Sequence, residues 1–164
     1  MQALAIVVLW VHLLAAVTWL GGLIFMNVVL SPAVGAKGVP PQFVRLMGMQ
    51  RFKGYAWASI VVVVVTGTMN TLGNVNRFDA FYTTPYGITL AIKILLVLLM
   101  IGITAWNSLR LGPKLAQGAP APGAQPGTDV VALQKRLVIL SYVNVTLGVI
   151  VLLLAAILRV APNY

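Results

Sequence analysis

Four long apolar runs divide this chain, at about 3–30, 55–72, 87–109 and 130–160. Each is close to or above the roughly 20 residues that an α-helix needs to cross about 30 Å of hydrocarbon at 1.5 Å per residue. Strands of a membrane barrel would instead alternate over about ten residues, and these runs do not alternate. The pattern predicts an all-α protein: an integral membrane, antiparallel four-helix bundle, with residues 1–164 as one four-span domain. The first and last runs exceed the required length and are expected to tilt or to extend past the lipid. The first is expected to be retained, because Met1-Gln2 carries no basic residue and the run far exceeds a signal h-region of about 7–15 residues.

The segments between the runs have distinct characters. QFVRLMGMQRFKGY (42–55) follows Pro40-Pro41 and mixes basic and apolar residues at helical spacing. It reads as a short interfacial helix with Phe43, Leu46 and Met47 toward lipid. NRFDAFYTTPYG (76–87) holds Phe78, Phe81, Tyr82 and Tyr86, suited to an aromatic belt at the outer interface. GPKLAQGAPAPGAQPGTD (112–129) is rich in Gly, Pro and Ala and reads as a flexible linker, with Thr128 or Asp129 capping the last helix.

Only 8% of the residues are charged, against roughly a quarter in a soluble domain. The net charge of +9 does not call for nucleic acid, because its distribution follows the positive-inside rule. Lys37, Arg45, Arg51 and Lys53 lie between runs one and two; Arg110, Lys114, Lys135 and Arg136 flank the connection between runs three and four. The remaining connection has only Arg77, close to Asp79. Both basic segments are therefore expected in the cytoplasm, with the N- and C-termini outside. The lipid bilayer is the expected partner, together with a homo-oligomer or a larger membrane complex.

Polar residues inside the runs carry the candidate chemistry. His12 is the chain's one histidine, eight residues past Leu4; Lys93 lies six past Gly87. At 1.5 Å per residue both sit roughly 9–12 Å into the outer half. His12, Trp19 and Met26 are seven apart, as are Lys93, Met100 and Asn107, and such spacing holds a stripe toward a neighbouring helix. Facing stripes would form a polar track, with Asn27 and Asn144 as further candidates. Ionisable residues within a membrane span are functional by default. The plainer alternatives are a His12 hydrogen bond to a carbonyl or Thr18, a snorkelling Lys93 and space-filling methionines.

Exclusions narrow the chemistry further. The only carboxylates, Asp79 and Asp129, fall in connections, and cysteine is absent. Paired-carboxylate catalysis, carboxylate metal cages and thiolate sites have no material. What remains is one imidazole, soft thioethers and an ammonium. Imidazole and thioether suit Cu(I), and haem iron also accepts His, with Met as a second axial ligand.

The stretch WVHLLAAVTWLGGLIFM (10–26) resembles the first-helix signature of the copper-resistance D (CopD) family. The likeness continues through Arg51-Phe52, AWASIVVVVVTGTMN and YGITLAIKILLVLLMIGITAWNSLR into the final run, nearly the whole chain. It implies copper binding or transport at a bacterial inner membrane, with His12 as principal ligand and Met26, Met69 and Met100 as softer ones. Lys93 would shape the field. The layout is also similar to HemJ-type haem proteins, which implies haem b on His12 as the alternative, with a functional lysine at Lys93. The chain reads MNVVLSPAV (26–34) where their second histidine would fall, which speaks against protoporphyrinogen oxidation. An accessory role in a membrane complex is the third reading.

Overall fold

A computed structural model describes residues 2–30, 32, 41–74, 83–118 and 127–160. They form helices and, among the described residues, no strand: α1 (Gln2–Ile24), α2 (Pro41–Asn74), α3 (Pro85–Trp106), α4 (Gly112–Gln117) and α5 (Thr128–Val160). Two π-helical turns, Phe25–Leu30 after α1 and Asn107–Leu111 after α3, extend those helices. Four segments are long and apolar enough to cross a membrane: Gln2–Leu30, Phe52–Leu72, Pro85–Gln117 and Thr128–Leu158. This is an all-α membrane bundle, and the large exposed side chains, from Leu4 and Ile6 to Leu153 and Ile157, are the surface such a bundle offers to acyl chains.

Packing is dominated by two antiparallel pairs, α1 with α2 and α3 with α5. Small residues set their spacing, as expected where lipid removes the hydrophobic drive between helices. A Cβ on Gly22 would collide with the Phe52 ring, and one on Gly148 with Leu20 Cδ1. The neighbouring Gly21 has nothing within 4 Å. Of the two adjacent glycines, Gly22 is therefore the one that admits the partner helix. Trp19, Ala56, Ile60 and Met100 form the buried centre where α1, α2 and α3 meet.

Several local expectations need adjustment. The segment at 42–55 is helical but runs without a break into the second span, giving a 34-residue α2. Its Phe43, Leu46 and Met47 side chains lie outside the described residues, as do Phe78, Phe81 and Tyr82 of the aromatic connection. Residues 112–117, expected as linker, form α4, because Leu115 and Leu111 bury against Leu137 of α5. The rest of that connection, 119–126, is outside the described residues. At the start of α5 the Gly127 carbonyl accepts from the N–H groups of Val130 and Val131. The cap position therefore falls one residue before Thr128.

Both π-helical turns end two residues before a proline, Pro32 and Pro113. Proline has no N–H to donate, and its ring crowds the carbonyl four residues earlier. The helix answers by widening: the Gly112 N–H reaches back to the Asn107 carbonyl, five residues away.

Candidate functional site

His12 is half-buried where α1 crosses α2. Its Nδ1 lies 2.8 Å from Thr66 Oγ1. The Thr66 hydroxyl donates its own proton to the Val62 carbonyl one turn back, so its oxygen accepts and Nδ1 carries the hydrogen. The tautomer assigned from this network leaves the lone pair on Nε2. Gly67 makes room for the ring, since a Cβ there would lie 3.2 Å from His12 Cε1. Lys93 of α3, also half-buried, is near enough for its charge to act on the imidazole.

The two seven-residue stripes both turn inward. Trp19 and Met100 are buried in the same cluster, while His12, Met26 and Lys93 are half-buried and Asn107 is buried. His12 and Lys93 are brought into one electrostatic neighbourhood, but the hydrogen-bonding face belongs to α2. Thr18 bonds to Leu14 of its own helix and leaves the imidazole to Thr66.

Among the described residues, Met100 and Met26 lie away from His12, beside Trp19 and at a second cavity respectively. Met100 packs between Trp19, Ala56 and Ile60, and its Cε approaches the surface of Gly148. Met69 lies one turn beyond Thr66 on α2 and is 49% exposed. Met26 is fourteen residues past His12, about 21 Å along the helix at 1.5 Å per residue. Among the described residues there is no group of three or more His, Cys, Asp or Glu.

Met26 faces a second polar feature, a cavity of about 80 Å³ at the basic end of the bundle. All the long helices contribute: Asn27 from the first wide turn, Trp57 from α2, Thr104 from α3, Asn107 and Ser108 from the second wide turn, and Ser141 and Asn144 from α5. Asn144 Nδ2 donates to Thr104 Oγ1 at 2.9 Å, tying α5 to α3. Trp57 Nε1 donates to Ser108 Oγ at 3.3 Å, and Lys53 Nζ to the Ser108 carbonyl at 3.4 Å. The Tyr142 hydroxyl donates to the Asn27 carbonyl at 3.2 Å.

Thr66, Gly67 and Ser108 were not anticipated as site residues. Both Thr66 and Gly67 are small enough for close helix approach, and only the pairing of α1 with α2 gives them an imidazole to hold. The wide turns do have a sequence signal: an asparagine five or six residues before a proline, NVVLSP (27–32) and NSLRLGP (107–113).

Comparison with known proteins gave one finding, which bears on the family of the chain and does not reach α1 or His12. A family model described as copper resistance protein D matches residues 46–158, well over half of the chain. Searches of curated proteins and of solved structures gave no match.

Proposed function

Because the chain belongs to the copper resistance protein D family, we propose that this multi-pass membrane protein moves copper ions through its helical interior. Copper is the cargo, taken as Cu(I), the state that imidazole and thioether favour. His12 is the principal ligand, through Nε2. Met69, half exposed one turn beyond Thr66 on α2, helps capture the ion. Met100 and Met26 are the softer donors further along, at spacings of roughly 10 Å by helical rise. Lys93 adds a positive charge beside His12 that keeps the ion from dwelling, since a conducting site must also release what it binds. The expected setting is a bacterial inner membrane, with both termini outside and Lys53, Arg110, Lys114, Lys135 and Arg136 at the cytoplasmic end.

The single supporting observation is the imidazole itself, turned into the bundle and fixed by Thr66 so that one nitrogen keeps its lone pair. Ligating histidines are oriented in this way, by the bond at the nitrogen that does not hold the metal.

The test is copper accumulation in cells expressing wild type or His12→Gln, beside metal analysis and a visible spectrum of each purified protein. Copper uptake and bound copper lost with His12→Gln would support the proposal. A Soret band that disappears with the same substitution would replace it with haem b on His12. A colourless protein without copper, and uptake indifferent to His12, would leave an accessory role in a larger complex.

A further inference from the structure

The carboxamide oxygens at the basic end are the strongest unexplained feature of the molecule. Among the described residues, Asn107 Oδ1 and Asn144 Oδ1 are buried without a hydrogen-bond partner. The residues are only 7% and 1% exposed, and both line the 80 Å³ cavity. Asn144 is assigned with its Nδ2 donating to Thr104 Oγ1, which leaves Oδ1 as the free end. A buried acceptor left unpaired is costly and rare in folded proteins.

We propose that this cavity is a second ion site, of low affinity, in which Asn107 Oδ1 and Asn144 Oδ1 hold a partly dehydrated monovalent cation. It lies about 20 Å along the helices from His12 and does not depend on the reading of that residue. The volume of about 80 Å³ has room for a small ion with a few of its waters.

The lining selects the sign and size of the charge. Two amide oxygens with free lone pairs repel an anion. The Thr104, Ser108 and Ser141 hydroxyls add further oxygens, and the rings of Phe52 and Trp57 add faces that attract cations. Lys53 lies on the same wall. Its ammonium opposes a divalent ion twice as strongly as a monovalent one, and it weakens binding even of the latter. The oxygens suit a hard monovalent ion, a cytoplasmic alkali ion, which needs nothing else; Cu(I) is the competing occupant, and it would be held mainly by the Met26 thioether on the wall.

The experiment uses the full chain purified in mild detergent with His12→Gln as background, so that the outer position is silent. Cu(I) is titrated anaerobically against a chelator. Thermal stability is followed in potassium or thallium(I) chloride against choline chloride. Asn144→Asp, which keeps the shape and adds charge, and Lys53→Gln, on an exposed residue, should each tighten cation binding by tenfold or more and about threefold respectively. Binding of Cu(I) that Met26→Leu weakens assigns the site to the cargo; stabilisation by K⁺ or Tl⁺ that ignores Met26→Leu assigns it to an alkali ion. Either supports the site. If folded wild-type-cavity protein and Lys53→Gln protein both bind no Cu(I) and respond to the cations no differently than to choline, the proposal is overturned. Loss of the copper-transport reading would show separately, as uptake unaffected by His12→Gln with the cavity titration intact.

Discussion

Replacing Thr66 by valine keeps the branched shape of the side chain and deletes the one oxygen that accepts from His12 Nδ1. The bond is 2.8 Å long and half-buried, so its loss cannot be made good freely by solvent. Outer partners of a ligating histidine are worth about 10–100-fold in metal affinity. At about 1.4 kcal/mol per tenfold this is about 1.4–2.8 kcal/mol, in the range for orphaning a buried donor, about 1–3 kcal/mol. The bond is only partly buried, so water can replace some of what is lost, which places the expectation at the lower end: Cu(I) affinity of the outer position reduced about tenfold. Thr68→Val is the matched control. Thr68 is exposed and bonds only to Val64 of its own helix, and it should change affinity by about twofold or less. The assay is anaerobic competition titration of Cu(I) on the purified proteins, with circular dichroism to show equal helicity. Thr66→Val binding within twofold of wild type, in a folded protein that does bind through His12, would refute the claim that α2 orients the imidazole.

Other expectations follow from the same packing. Gly22→Ala should lower thermal stability, because overpacking against Phe52 costs about 1–3 kcal/mol while the gain in helix propensity returns only about 1 kcal/mol. Gly21→Ala, with open space around it, should be neutral or slightly stabilising, and equal melting of the two variants would count against the close crossing of α1 and α2. Gly67→Ala puts a Cβ 3.2 Å from His12 Cε1 and should weaken outer-site Cu(I) binding by about threefold to tenfold, the effect of a shift of a few tenths of an ångström in a packed ring; an unchanged affinity would show that the ring is free to move. A cysteine in place of Ala121 should resist membrane-impermeant thiol reagents in intact cells, and ready labelling would invert the expected orientation.

The amino-acid sequence alone determined the solvent and the architecture. Four apolar runs in a chain with 8% charged residues admit little besides a helical bundle in lipid, because each span must satisfy its own backbone there. The seven-residue stripes through His12 and Lys93 were legible for the same local reason: helical periodicity alone decides which residues share a face. Proline at 32 and at 113 disturbs the preceding turn, but the result, a wide turn presenting Asn27 and Asn107, needed the structure. Only the tertiary arrangement decided which helix each stripe meets. His12 finds Thr66, 54 residues away, and Asn144 finds Thr104 across α3 and α5, while Asn107 and Asn144 together leave two oxygens facing one cavity. Periodicity cannot carry that information, since it fixes a residue's direction from its own axis and leaves open what stands opposite.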